Sequence, residues 1–356
     1  MDPKTLDQLI DAVSRPAGLC FADGLAVLDP QKTSLLTCLS AAGHFREKHF
    51  ARTVTVHILN NVQNGLCPED CRYCAQSRSS SAPIETYPMK PAAEILAEAK
   101  AAYEQGAHRY CMVFSGTGPS DSRIETISRI VEDIKARYPI EVCVSPGVIT
   151  EAHARTLKAA GLDRLNHNLN TTERFYSAIC STHSYQDRVA TLQAAKKAGL
   201  AVCSGVIIGM GETEHDVVEM ALRLREFQAE SIPVNFYIPL PGAAIKTASG
   251  LTPEYCLRVL CLFRLINPQA EIRMAAGREL HLRSLEALGL YAANSLFLQG
   301  YLNARGTADT RTLQMIKDAG FTILSEVPLD QLLSGQPAVE KQALKTLNEL
   351  RPCNLS

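Results

Sequence analysis

The sequence predicts an α/β fold, a (β/α)8 TIM-type barrel with extra N-terminal helices and a C-terminal helical extension. One unit recurs from about residue 50, in which an amphipathic stretch ends in Gly and a short β-branched or aromatic run follows. About eight such runs can be counted, and helical patterns separate nearly all of them. This alternation indicates right-handed parallel crossovers and a sheet that helices cover. Eight units favour a closed barrel, and an open doubly wound sheet is the alternative.

The elements of this barrel follow in order along the chain. The strands are expected at 53–58, 109–115, 140–145, 163–169, 201–208, 233–238, 270–276 and 293–298. The helices between them are expected at 91–104, 122–137, 150–160, 184–198, 213–229, 252–266 and 279–288. Four of these helical patterns end next to a Gly, where a helix C-cap needs a left-handed residue: Gly106, Gly161, Gly199 and Gly289.

Two extensions flank the barrel, so three segments are expected. They are an N-terminal helical extension at 1–50, the barrel at 51–325 and a C-terminal helical tail at 326–356. Helices at 4–14, 31–48 and 338–350 are expected to pack outside the barrel.

Composition excludes several classes of protein. The 356 residues carry a net charge of −1, with 46% hydrophobic and 21% charged residues, which gives no electrostatic footprint for nucleic acid or an anionic membrane. No apolar run reaches the roughly 18–20 residues that span a bilayer, and the N-terminus lacks the pattern of a secretion signal. We therefore expect a cytoplasmic protein that binds neither nucleic acid nor membrane. In such a chain, 12 cysteines point to metal binding or catalysis before disulfides.

The sharpest motif is GLCPEDCRYCAQS, which follows the first strand and contains Cys67, Cys71 and Cys74 as C-x3-C-x2-C. Three closely spaced thiolates suit an iron–sulfur cluster, and the mouth of a barrel is where active sites lie. A structural zinc site would need a fourth ligand nearby, but His108 and Cys111 lie more than 30 residues further on. Three ligands leave one iron of a [4Fe–4S] cluster open to a small molecule.

A second set of cysteines falls inside three predicted strands, at Cys111, Cys143 and Cys203. Alternate residues of different barrel strands converge in the lumen, so these thiols are expected to meet there. A metal would allow them to ionise in an apolar site, and a fourth ligand should come from another strand. The alternative is that each thiol is an inert part of the core.

A row of asparagines, Asn166, Asn168 and Asn170, occupies alternate positions of the fourth strand in RLNHNLN. Side chains at such positions share one face, and buried amides need hydrogen-bond partners. A polar ligand in the lumen would supply them, and a structural hydrogen-bonded ladder is the alternative. The six remaining cysteines show no ligand spacing and are expected to be ordinary reduced thiols: Cys20, Cys38, Cys180, Cys256, Cys261 and Cys353.

At these motifs the sequence resembles the radical S-adenosylmethionine (SAM) enzymes, and over roughly residues 40–325 it resembles the biotin synthase family. The segments that carry the resemblance are GLCPEDCRYCAQS, YCMVFSGTGP, EVCVSPG, LNHNLNTTERFY, VCSGVIIGMGET, VNFYIPLPG and RMAAGRE. The resemblance implies a [4Fe–4S] cluster with SAM on the first three cysteines. It also implies a sulfur-donating [2Fe–2S] cluster on Cys111, Cys143, Cys203 and Arg273. Without the resemblance, Arg273 reads as an ordinary ion-pair residue.

The implied activity is that of a radical SAM sulfurtransferase. A 5′-deoxyadenosyl radical would remove hydrogen from C9 and C6 of dethiobiotin, and sulfur from the auxiliary cluster would close the ring. The resemblance also implies an electron donor such as flavodoxin or ferredoxin, and a homodimer.

The resemblance further assigns contact residues. Contacts with SAM are implied for Tyr73, Ser115, Gly116, Asn168, Asn170, Gly205 and Gly209. Contacts with the substrate are implied for Asn168, Asn235, Asn303 and Arg305. The family usually has Asp at position 170; Asn there removes a charge but still bonds a hydroxyl.

Three positions depart from the family pattern. The Lys that usually stands four residues before the first cluster cysteine is Gln63, and the usual Thr-Thr pair after the eighth strand is Asn303 and Ala304. In the family these groups hold the carboxylate tail of dethiobiotin, and the neighbouring Arg305 is a possible replacement for the lost charge. Two alternatives therefore stay open. One is a radical SAM enzyme that inserts sulfur into a different substrate, and the other is a non-catalytic metal-bound scaffold.

Overall fold

A closed parallel barrel forms the centre of the structure, a computed structural model that describes residues 5–334. Its strands are β1 Thr53–Asn61, β2 Arg109–Val113, β3 Glu141–Ser145, β4 Arg164–Asn166, β5 Ala201–Cys203, β6 Val206–Ile208, β7 Ser231–Phe236, β8 Glu271–Met274, β9 Ser295–Phe297 and β10 Thr322–Ile323. Neighbouring strands pair in chain order, and β9 pairs with both β8 and β1, so the sheet closes. The predicted (β/α)8 barrel is confirmed, and the open sheet is excluded.

The fifth strand position differs from the sequence prediction, because the single expected strand is broken into β5 and β6. Gly205 lies in the break, where a Cβ would stand 1.9 Å from the carbonyl oxygen of Pro233. Only glycine allows the two backbones to approach so closely. Both β5 and β6 pair with β7, so together they occupy one strand position of the eight-stranded barrel. The short β10 pairs with the start of β1.

Helices connect the strands on the outside. They are α1 Leu6–Ser14, α2 Phe21–Leu28, α3 Leu35–Phe50, α4 Ala92–Glu104, α5 Asp121–Arg137, α6 Glu151–Ala159, α7 Glu173–Tyr176, α8 Tyr185–Lys197, α9 Glu214–Glu226, α10 Pro253–Ile266, α11 Arg278–Leu282, α12 Asp309–Asp318 and α13 Leu329–Leu332. Helices α5, α6, α8, α9 and α10 begin at hydroxyl caps that accept a backbone N–H three residues on, at Ser120, Thr150, Ser184, Thr213 and Thr252.

Six of the seven predicted barrel helices are found at about the expected positions. The helix expected at 279–288 is instead the short α11 followed by a 3₁₀ segment, Arg283–Tyr291. Arg283 has a φ of +52°, which ends the α-helix there. The helices α2, α7, α12 and α13 were not predicted. The helix expected at 338–350 and Cys353 lie outside the described residues.

The N-terminal helices pack outside the barrel, as expected. Helix α10 is buried from Cys256 to Ile266, because α2 and α3 cover the face that turns away from the sheet. The thiols of Cys38, Cys256 and Cys261 are buried in this layer. Within the described part of the chain, every helix is too short or too polar to cross a bilayer.

Candidate active site

A cavity of about 230 Å³ lies inside the barrel and reaches the loops that follow the strands. Many of the predicted site residues line it: Tyr73, Cys74, Cys111, Cys143, Asn168, Asn170, Asn235, Arg273 and Asn303. They come from widely separated parts of the sequence, and closure of the barrel brings them together. Active sites of this fold lie at the carboxyl ends of the strands, as this cavity does.

The three-cysteine loop between β1 and α4 forms one edge of the cavity. In a tight turn of this loop, the amide of Cys74 donates to the carbonyl of Cys71 at 3.0 Å, so the two residues are held close together. Ser115 ties the loop to the end of β2, because its hydroxyl donates to the carbonyl of Gly65 at 2.7 Å. Burial, with a smaller contribution from the neighbouring Cys67, raises the pKa of Cys74 to about 11. Thiols that resist ionisation by themselves suit a site in which metal ions stabilise the thiolates, so the loop fits a [4Fe–4S] cluster.

Cys180 lies directly behind this loop and next to Cys71, a neighbour that its spacing in the sequence did not indicate. The Cys71 thiol donates to the sulfur of Cys180 across 3.7 Å. This contact raises the pKa of Cys71 and lowers the pKa of Cys180 to about 4. The segment between α7 and α8 is held there by Asp70, which accepts the backbone N–H groups of Ser181 and Thr182 at 2.9 and 3.2 Å. Sequence spacing gave no signal for it, because 109 residues separate the two sulfurs.

The second set of cysteines forms one buried cluster at the floor of the cavity. Cys111 and Cys143 are register partners on β2 and β3 and line the cavity, and Cys203 of β5 packs against them. Interactions among the three thiols raise the pKa of Cys143 and lower the pKa values of Cys111 and Cys203. A guanidinium N–H of Arg273 points to the sulfur of Cys203 at 3.6 Å. Three thiols and one guanidinium converge on one buried point, and this donor set fits a [2Fe–2S] cluster, whose two irons take four protein ligands.

Arg273 is held in place by a buried charge network below the cysteines. Its guanidinium donates to Ser295 at 3.0 Å, to Ser231 at 2.9 Å and to the carboxylate of Glu271. Arg109 donates two hydrogen bonds of 3.1 Å to the same carboxylate. Burial by itself would raise the pKa of Glu271, but the two guanidinium groups hold that pKa well below its usual range. The network fixes the direction in which Arg273 presents its remaining donors.

The asparagine side chains bridge strands and loops around the cavity. The side-chain oxygen of Asn168 accepts a hydrogen bond from the backbone N–H of Gly205 at 3.0 Å. The side-chain amide of Asn170 donates to the hydroxyl of Tyr73 at 2.7 Å. The amide of Asn235 bonds two backbone groups at 2.9 and 3.2 Å. An amide has two donor hydrogens and two acceptor lone pairs, so each of these side chains keeps bonding capacity for a ligand. The structural ladder and the ligand site are therefore compatible.

Some predicted contact residues lie outside the cavity wall: Ser115, Gly116, Gly205, Gly209 and Arg305. Gly205 packs against Pro233, and the amide of Gly209 donates to Glu212 at 2.6 Å. Arg305 is exposed.

Two arginines were missed in the sequence, because each lies within an ordinary amphipathic helix. Arg188 of α8 lines the cavity and donates to the carbonyl of Asn168 at 2.8 Å and to the hydroxyl of Tyr73 at 3.3 Å. Arg123 of α5 donates to the side-chain oxygen of Gln63. It therefore brings a positive charge beside the position where the family has Lys.

Comparisons with known proteins identify the family of this chain. A sequence profile described as the radical SAM superfamily matches residues 63–224, and one described as the biotin and thiamin synthesis associated domain matches residues 233–322. A biotin synthase from Magnetococcus marinus is 54% identical over 300 residues, which are 84% of this chain and 94% of that protein. One from Acaryochloris marina is 51% identical over 313 residues, which are 88% and 90% of the two chains.

Solved structures support the fold. Methylornithine synthase matches with a TM-score of 0.75 at 19% identity, over 89% of this chain and 96% of that one. The FeFe-hydrogenase maturase HydG from Carboxydothermus hydrogenoformans matches with a TM-score of 0.76 at 16% identity, over 92% and 81%. At such identities the likeness concerns the barrel alone.

The buried network predicts how stability depends on Glu271. We expect Glu271→Gln to lower the free energy of unfolding at neutral pH by about 3–5 kcal/mol, because Arg109 and Arg273 would lose their shared charge partner. The folded-state pKa of Glu271 lies below its ordinary value of 4.5, so the carboxylate stabilises the fold above that pH and the effect is lost as the pH falls. The difference between wild type and variant should therefore shrink below about pH 5.

Urea unfolding of the reduced, metal-free chain between pH 4 and 8, followed by circular dichroism, measures this difference. Glu226→Gln is the matched control, because Glu226 pairs with Arg223 at 2.7 Å on the surface, where an ion pair contributes roughly 0–1 kcal/mol. Equal effects of the two substitutions would contradict the assigned role of Glu271.

Proposed function

The chain belongs to the biotin synthase family of radical SAM enzymes, and from this premise we propose that it inserts sulfur into dethiobiotin between C6 and C9. One observation carries the proposal. Cys111, Cys143 and Arg273 line the cavity, with Cys203 packed against the two cysteines, and Cys74 of the three-cysteine loop lines the same cavity. A substrate in this cavity would lie between a site for generating a radical and a site that holds sulfur.

The two implied metal groups would have separate places in this chain. A [4Fe–4S] cluster with SAM, held by Cys67, Cys71 and Cys74, would supply a 5′-deoxyadenosyl radical. A [2Fe–2S] cluster would supply the sulfur from the inner cysteines and their arginine, which are Cys111, Cys143, Cys203 and Arg273. The barrel positions the reactants and keeps bulk water from reactive carbon centres. Glu271 and Arg109 hold the guanidinium of Arg273 toward the inner cysteines.

The polar side chains in the cavity offer hydrogen bonds to dethiobiotin and to SAM. Asn168 and Asn235 offer amides to a urea, whose C=O and N–H groups need both donors and acceptors. The hydroxyl of Tyr73 and the amide of Asn170 bond each other at 2.7 Å, and this pair is assigned to SAM. Arg188 holds the Tyr73 hydroxyl and the backbone of Asn168, so it is a positioning residue for both ligands.

The carboxylate tail of dethiobiotin is assigned to a region where this chain departs from its family. Two consecutive residues define it: Gln63 accepts a hydrogen bond from Arg123, and the amide of Asn64 pairs with that of Asn303 at 2.9 and 3.2 Å. The guanidinium of Arg123 supplies the positive charge that Lys supplies elsewhere. Arg305, the residue favoured by the sequence, is exposed.

Three further features belong to the proposal and rest on the family. The electron donor is a reduced flavodoxin or ferredoxin, for which the partly exposed Cys67 leaves an approach to the loop. The enzyme is a homodimer, and it works in the cytoplasm.

A turnover assay tests the function directly. We expect the anaerobically reconstituted, reduced protein to convert dethiobiotin to biotin in the presence of SAM, with about two 5′-deoxyadenosines formed per biotin, because two C–H bonds are broken. Cleavage of SAM without biotin would mean that the substrate is different. Absence of SAM cleavage in protein with a full iron content would mean a non-catalytic scaffold.

A second assay tests the tail pocket. We expect Arg123→Gln to raise the KM for dethiobiotin about tenfold or more with a smaller change in kcat, because a charge-assisted hydrogen bond contributes about 1.5–3 kcal/mol. Arg305→Gln is the matched control, and it should leave the KM unchanged. The opposite ranking of the two variants would move the carboxylate to Arg305.

A further inference from the structure

A second group of metal-ligand side chains lies behind the three-cysteine loop, and the proposed function has no use for two of its members. Cys180 and His183 stand between α7 and α8, and with Cys71 they place one ligand atom each within 4.8 Å of one another. The two sulfurs are 3.7 Å apart, and Nδ1 and Nε2 of His183 lie 3.3 and 3.8 Å from the sulfur of Cys180. Both thiols are buried.

These separations match a single tetrahedral ion. Two thiolates bound to one Zn²⁺ at about 2.3 Å are about 3.8 Å apart, and a thiolate and an imidazole nitrogen are about 3.6 Å apart. An iron–sulfur cube binds one thiolate on each iron, so it does not require two sulfurs at this spacing. The spacing of Cys71 and Cys180 therefore suits a mononuclear site.

The surroundings of His183 complete the site. Its Nδ1 lies 2.6 Å from a carboxylate oxygen of Glu69, which is the bond that orients many metal-binding histidines and leaves Nε2 for the metal. In the metal-free chain Nε2 accepts from Arg188 at 2.8 Å, and Arg188 has other acceptors in Tyr73 and the backbone of Asn168. A metal ion at Nε2 would therefore replace one of the hydrogen bonds of Arg188 and leave the others in place.

Two thiolates and an imidazole form a donor set for thiophilic divalent cations, and water completes the coordination of an ion that has three protein ligands. The carboxylate of Asp70 accepts the backbone N–H groups of Ser181 and Thr182 and is not one of the ligand atoms that meet within 4.8 Å.

We propose that the cluster-free chain binds one thiophilic divalent cation through Cys71, Cys180 and His183. Because Cys71 also belongs to the three-cysteine loop, this ion and the four-iron cluster exclude each other. The competition rests on the proposed function of Cys71, whereas the binding of the ion does not.

Cobalt(II) titration of the reduced, metal-free full chain tests the site, since tetrahedral Co²⁺–thiolate centres absorb visible light. All proteins carry Cys143→Ala, so that the inner cysteines are incomplete. We expect one equivalent of Co²⁺ with a tetrahedral spectrum, and at least tenfold weaker binding in Cys180→Ser and His183→Gln. Cys74→Ser is the matched control and should bind normally. Competition by Zn²⁺ and by Fe²⁺ in separate titrations identifies the preferred ion.

Loss of the signal in Cys74→Ser but not in Cys180→Ser, or no tetrahedral signal in the parent protein, would overturn the proposal. A second measurement shows whether Cys180→Ser is still folded. Zn²⁺ added before iron and sulfide should slow assembly of the four-iron cluster in the parent protein. The Cys180→Ser variant should assemble that cluster at the same rate with and without Zn²⁺. Equal inhibition of both proteins would also count against the site. Both measurements are made without substrate and with variants of Cys180 and His183, so their failure is distinguishable from failure of the wild-type turnover assay.

Discussion

The carboxylate of Glu271, buried between two guanidinium groups, is the interaction on which the cavity floor depends. A barrel lumen normally fills with apolar side chains, and an isolated buried charge there would be costly. Here Arg109 comes from β2, Glu271 and Arg273 come from β8, and the network spans the barrel. It keeps Arg273 charged and directed at Cys203, and it makes a polar floor possible under three cysteines.

The two sets of cysteines lie at different depths of the cavity. The inner cysteines belong to strands and are rigid, since their backbones are in the barrel ladder. The three-cysteine loop lies at the mouth, tied down by Ser115 and by the segment that carries Cys180. The asparagines and Tyr73 stand between the two levels. The proposed reaction needs this order, because the substrate must reach the radical and the sulfur in one bound position.

Much of this arrangement could be predicted from the sequence, and the part that could not has a common cause. The strands were predictable from the alternation of apolar runs and helical patterns. Both sets of thiols were predictable from the C-x3-C-x2-C motif and from the three cysteines inside strands. The break at Gly205 depends on how closely β7 approaches, which no local pattern encodes. Arg188, Arg123 and Cys180 meet the site only through tertiary packing, so their types and spacing look ordinary. Arg273 was recognised by resemblance, and its partner Glu271 emerged only from the structure.

The central claim is that one cavity serves two iron–sulfur clusters. Anaerobic reconstitution with iron and sulfide counting and EPR, in wild type and Cys143→Ala, tests it most directly. The account predicts about six irons per chain in wild type, for a four-iron and a two-iron cluster, and about four in the variant with the signal of the reduced [4Fe–4S] cluster retained. About four irons in both proteins would contradict it, because the cysteines at the floor of the barrel would then hold no cluster.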